Sequence, residues 1–181
     1  MEQSNIETLS RDRLLELLKI YAKNWLAHDG CWFLAIEKKL GIEKAIELDR
    51  DSWEQFTQIE ARRLKEFLNL GENSGIDGLK KALAFRLHST INEQFSEKEG
   101  NNVLVHYVKT CRVQEARRRK NLPDFPCKSV GLIDYSLFAK TIDNRFETEV
   151  ISCPPEVTDS DYYCIWKFVL ENKKWKGLKV K

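Results

Sequence analysis

The chain has no apolar run of eighteen residues, no CxxC pair, and no glycine-rich phosphate loop, GxSxG or HExxH sequence. Each absence removes a class. Without a long apolar run, a membrane-spanning helix is excluded. Without the named motifs, nucleotide binding, serine hydrolysis and zincin chemistry have no support. Neither sign of charge is in excess: 30 basic and 28 acidic side chains leave +2 over 181 residues, so nothing draws the whole chain to nucleic acid. The opening Met1-Glu2-Gln3-Ser4-Asn5 lacks the basic and apolar regions of a signal peptide. A cytoplasmic, reducing location without disulfides is therefore expected, and an odd total of five cysteines agrees with it. At 42% hydrophobic and 32% charged residues, the composition is that of a folded globular protein of ordinary core size. Oligomeric state is not readable from it.

Four of the five cysteines lie beyond residue 110, each at the edge of a predicted strand or loop. Cys111 follows the apolar run Val103-Leu104-Val105-His106-Tyr107-Val108. Cys127 ends the loop Leu122-Pro123-Asp124-Phe125-Pro126. Cys153 closes Thr148-Glu149-Val150-Ile151-Ser152, and Cys164 lies in Tyr162-Tyr163-Cys164-Ile165-Trp166. Thiols at element ends can converge on one point. Four thiolates, or three with a carboxylate or imidazole, suffice for tetrahedral zinc, and sulfur donors favour zinc or iron over magnesium or calcium. Four packed small hydrophobes are the alternative, since cysteine is among the most buried residue types. Cys31, between Gly30 and Trp32, is expected to be an ordinary packed residue.

The first hundred residues read as helices. One starts at Ser10 or Asp12 and carries Leu14, Leu18, Tyr21, Trp25 and His28 on a stripe. Gly30 is expected to interrupt it, with a second helix over 31–40 stopping at Gly41. A short helix over 42–48, a longer one capped by Asp49 to Asp51, and a further one over 76–95 follow. The character changes at Asn102. Strands are predicted over 103–110, 145–152 and 162–170, with helices over 113–121 and 130–142. The chain thus divides into a helical segment (1–98), a cysteine-bearing α/β part (102–172) and a basic tail (173–181), together forming one compact unit. The expected fold is α+β: N-terminal helices packed on a small, mainly antiparallel sheet that carries two helices, with a pocket between the helices and the cysteine-bearing strand ends.

Two further groups are candidates. His28 and Asp29 are read either as a core histidine and a helix cap, or as a proton carrier and its orienter. Trp25 and Trp32 would wall an apolar ligand pocket. Arg112 and Gln114 directly follow Cys111 at a strand end, where a forked guanidinium can reach an anionic ligand. The run Arg117-Arg118-Arg119-Lys120 is read as a solvated helix face.

The motifs Trp25-Leu26-Ala27-His28-Asp29-Gly30-Cys31-Trp32-Phe33, Cys111-Arg112-Val113-Gln114 with Ala116-Arg117, Leu122-Pro123-Asp124-Phe125-Pro126-Cys127-Lys128, and Cys153-Pro154-Pro155 with Tyr163-Cys164 resemble a bacterial and archaeal family labelled only as cytosolic proteins of unknown function. That family is similar to L-2-amino-thiazoline-4-carboxylate hydrolase, which implies a possible hydrolase. The C-terminal half also resembles, more distantly, the 4-vinyl reductase domain, a small-molecule-binding module whose ligand-sensing members hold zinc. The resemblance implies Cys127, Cys153 and Cys164 as metal ligands, with Cys111 at that domain's earlier cysteine. Val150 stands where that domain has a glutamate, and Glu149 is one position away. The expected function is therefore a cytosolic small-molecule-binding protein with a cysteine-ligated zinc. The alternative is a metal- or thiol-dependent hydrolase of a small amide-like or heterocyclic substrate.

Overall fold

A computed structural model describes residues 5–171; the basic tail and its Trp175, Leu178 and Val180 lie outside the described residues. Three helices come first: α1 (Arg11–Leu40), α2 (Ile42–Phe67) and α3 (Gly75–Ala84). A hairpin of β1 (Gln94–Glu99) and β2 (Val103–Val108) follows. Then come α4 (Arg112–Arg119), α5 (Lys128–Ile142), β3 (Phe146–Ser152) and β4 (Cys164–Leu170). The four strands form one antiparallel sheet in the order β1-β2-β4-β3. The α+β expectation holds, including the terminal β3–β4 hairpin and the insertion of β2 beside β4.

Three element boundaries differ from the expectation. Gly30 does not break α1, because a mid-helix glycine costs only about 1 kcal/mol and the flanking turns propagate through it. Asp49 to Asp51 cap nothing and lie inside α2. The single break in the first two helices is Gly41, whose φ of +86° ends α1 and whose N–H closes on the Glu37 carbonyl. The expected helix over 76–95 stops at Ala84, and its last residues join β1, so the sheet begins at Gln94.

One face of the sheet is covered by helices; the other carries no helix among the described residues, although Val105 and Ile165 on it are buried. Leu104, Trp166 and Phe168 point from β2 and β4 into a core completed by Tyr135, Phe138 and Ile142 of α5 and by Leu79 and Leu83 of α3. On the opposite face Phe95, Tyr107 and Tyr162 stack, and Lys167 pairs with Glu149 at 2.9 Å. The cover differs in layering from the expectation. Helix α5 lies on the sheet, α2 on α5, and α1 on α2. Helix α1 reaches the cysteine-bearing half through Phe33, edge-on to Phe125 at 5.0 Å, and through Glu37, bonded twice to Arg117 at 2.7 and 3.0 Å. Arg117 is accordingly buried and also donates to the Pro123 carbonyl. Arg118 pairs with Asp124 and Tyr163. The solvated-face reading therefore holds for the exposed Arg118, Arg119 and Lys120 and fails for Arg117.

Under α1 and α2 the interior is held by ions. Arg86, 1% exposed, forks onto Asp134 at 2.6 and 3.1 Å and onto Glu60 at 2.9 Å, with its guanidinium over the rings of Tyr135 and Phe138. A buried charge needs such partners. His106, on β2, bonds Ser96 at 2.8 Å, and burial holds its ring down to about 3, hence neutral.

Candidate functional site

A cavity of about 380 Å³ lies between the α1–α2 pair and the cysteine-bearing ends of the sheet, a volume in the range of small-molecule sites. Cys111, Cys127, Cys153 and Cys164 all line it.

Each thiol arrives by a separate device. Val108 of β2 pairs with Cys164 of β4, and the Tyr163 N–H donates to the Val108 carbonyl, so the chain leaving β2 places Cys111 beside Cys164. Cys111 then stands at the start of α4 and Cys127 at the start of α5. Cys153 depends on an irregularity in β3. Val150 pairs with Trp166 but Ser152 with Ile165, leaving Ile151 as an extra residue. A bulge of one residue exchanges the faces beyond it. Phe146, Thr148 and Val150 face the helices; without the bulge Ser152 would follow them and Cys153 would point to solvent. With it, Cys153 is 1% exposed and faces the cavity beside Cys164. Glu149 lies on the outer face with Lys167, so it does not join the thiols.

Cys127 and Cys153 are then locked together. The Lys128 N–H donates to the Pro154 carbonyl at 3.0 Å, and Lys128 reaches Glu156, which bridges back to Cys153. Their sulfurs are 3.6 Å apart. The hydrogen bond between the two thiols lowers the Cys127 pKa and raises that of Cys153; Cys164 also hydrogen-bonds Cys153 and raises it further. Burial pushes the Cys111 thiol up to about 12. Among the described residues no three such side chains already stand in metal-holding geometry. The thiols form a cluster with one close pair.

Gln114 lines the cavity, but its amide is already engaged within the protein. Its amide donates to the Phe125 carbonyl and accepts from the Phe125 N–H, both at 2.8 Å, and its nitrogen reaches Cys127 Sγ at 3.7 Å. It is a clamp that fixes the loop carrying Cys127. Arg112 lines the cavity and has no ion pair among the described residues. His28 is exposed and lines a separate cavity of about 230 Å³ with Trp25 and Trp32, away from the thiols. Trp25 is packed on Phe56 at 5.2 Å, whereas Trp32 is 67% exposed. Asp29 lies between the two cavities and lines both. Cys31 is exposed and lines the thiol cavity, contrary to the packed role expected of it.

The structure adds residues that sequence spacing did not single out. Asp49, from α2, faces the cavity near Asp29 of α1. Burial and then the Asp29 charge raise Asp49 to about 7, against a hydrogen bond from Trp53. Burial also raises Asp29, which neighbouring His28 partly offsets. His88 stacks on Trp53 at 5.5 Å and is held neutral by burial and by Arg86. Tyr135 and Trp166, stacked at 4.6 Å, complete the lining next to the thiols.

Fold and site together define an α+β protein in which a two-helix arm roofs a thiol-lined cavity. Residues 7–170 match a family of unknown function, DUF6125, and the chain belongs to it. No curated protein and no solved structure matches the chain. Among the described residues no helix is long and apolar enough to cross a membrane.

Proposed function

We propose that the protein binds a small, mainly apolar molecule in the cavity and that the thiols beside it hold a zinc ion. The observation that carries this reading is the arrival of Cys111, Cys127, Cys153 and Cys164 from four segments at one cavity. The donor set suits zinc. The 3.6 Å between Cys127 and Cys153 sulfurs agrees with the roughly 3.5–4 Å between two thiolates on a tetrahedral zinc. The resemblance to the 4-vinyl reductase domain supports the same ligands. Four thiolates would make the metal structural; three would leave a position facing the cavity. The test is elemental analysis of the full chain after zinc reconstitution and desalting. About one zinc per chain is expected, lost in Cys127→Ser and Cys153→Ser and kept in Cys31→Ser. A chain that retains no zinc, with every cysteine titratable by a thiol reagent, would discard the reading.

A second reading, hydrolysis of a small amide-like or heterocyclic substrate, is favoured by one observation. Asp49, raised to about 7, faces the same cavity as the thiols, and a group with that pKa suits proton transfer near neutrality. In this reading Asp49 with Asp29 carries the role first given to His28. Turnover abolished by Asp49→Asn but untouched by His28→Ala would support it; the reverse would sink it.

A further inference from the structure

The buried carboxylates Asp134 and Asp143 and the half-buried Glu60 and Glu37 each have a cation on them. Asp134 and Glu60 share Arg86, Asp143 holds Arg145 at 2.7 Å, and Glu37 holds Arg117 at 2.7 Å. The half-buried Asp29 and Asp49 differ. They face the cavity from two helices, the Asp29 charge raises the Asp49 pKa, and no lysine or arginine among the described residues pairs with either. Two unpaired like charges in a partly desolvated wall are unfavourable, and a cation between them offsets both the burial and the repulsion.

A second feature points to an occupant with a polar atom of its own. Trp166 is 1% exposed, lines the cavity, and its indole N–H has no hydrogen-bond partner among the described residues. Buried donors left unpaired are rare because each forfeits its bond to water. One beside the cavity calls for an acceptor that the protein itself does not provide.

We propose that the cavity takes an organic cation, an amine or amidinium on an apolar body, with its charged head between Asp29 and Asp49. A hydrogen-bond acceptor on the body would then meet the Trp166 indole N–H. The proposal rests on the cavity-binding reading above and names its ligand class; it does not depend on the zinc.

Three probes of one shape separate the possibilities: 2-phenylethylamine, 2-phenylethanol and phenylacetate, followed by calorimetry on the full chain at pH 8. The amine should bind at least about tenfold more tightly than the alcohol, and phenylacetate should bind most weakly. Asp29→Asn/Asp49→Asn should bring the amine down to the level of the alcohol and leave the alcohol unchanged. Equal binding of amine and alcohol, or an amine preference that survives the double substitution, overturns the cation proposal while the cavity reading stands. No binding of any probe overturns both. Removing two repelling charges should raise thermal stability, and a normal melting transition for the variant excludes loss of fold as the cause.

Discussion

At the scale of single residues, Asp49 makes the clearest prediction. Its carboxyl is raised from 3.8 to about 7, first by burial and then by Asp29. Between these values the folded chain keeps a proton that the unfolded chain has lost. The neutral side chain is therefore favourable below the unfolded value, and that contribution disappears as pH rises through 4 to 7. Asp49→Asn, which cannot ionise, should stabilise the protein at pH 8 by about 1–2 kcal/mol and change little at pH 4. Thermal melts at the two pH values check this, and an equal effect at both would show that the carboxyl is not held neutral. Gln114 predicts the opposite sign. Truncation to Ala removes both bonds to Phe125, leaving a buried N–H and carbonyl without partners. Gln114→Ala should cost about 2–3 kcal/mol and speed alkylation of Cys127, as followed by mass spectrometry. An alkylation rate equal to the native one would mean that the clamp does not position Cys127.

At the scale of elements, the bulge in β3 decides whether Cys153 belongs to the cluster. Ile151 is 42% exposed, so deleting it removes little burial while restoring regular alternation. The shortened chain should fold with Cys153 turned outward and should no longer form a Cys127–Cys153 disulfide under mild diamide oxidation. Disulfide formation at the native rate would show that the bulge does not aim Cys153. The glycines of two helices offer a matched pair. A Cβ on Gly30 meets nothing within 4 Å, whereas one on Gly131 falls 2.7 Å from the Trp166 ring. Gly30→Ala should therefore stabilise by about 0.5–1 kcal/mol, and Gly131→Ala should destabilise by about 1–3 kcal/mol, as read from urea unfolding.

The same elements explain what was legible in the sequence. Helix α5 and strands β2, β3 and β4 are readable because their apolar residues recur at helical or alternating spacing between Pro, Gly and Asp signals. Strand β1, Gln-Phe-Ser-Glu-Lys-Glu, is an edge strand with one large apolar residue, so composition gives it no strand character. Its pairing with β2 supplies what its sequence does not. Gly30 and Asp49 misled for a related reason: local breaking tendencies of about 1 kcal/mol yield to the packing of α1 along α2.

At the scale of the whole molecule, the cavity exists because α2 packs closely on α5 while α1 meets the cysteine-bearing half at few points, chiefly Phe33 on Phe125 and Glu37 on Arg117. The four cysteines of its lining were legible, since a thiol at each element end is a feature of sequence alone. Asp49, Tyr135 and Trp166 were not. Asp49 and Trp166 are more than a hundred residues apart, and only the folded layers bring them to one surface. His28 was misplaced by the converse effect. Adjacent residues of a helix point about 100° apart, so Asp29 can enter the cavity only if His28 turns from it.

The central claim is that these thiols act as one ligand set beside a small-molecule cavity. Zinc K-edge X-ray absorption on the reconstituted full chain tests it most directly, because it counts the sulfur atoms bound to the metal. The account predicts three or four sulfurs at about 2.3 Å, falling by one in Cys153→Ser if any metal is retained. A zinc bound only by nitrogen and oxygen at about 2.0 Å, with the same spectrum in Cys153→Ser, would contradict it.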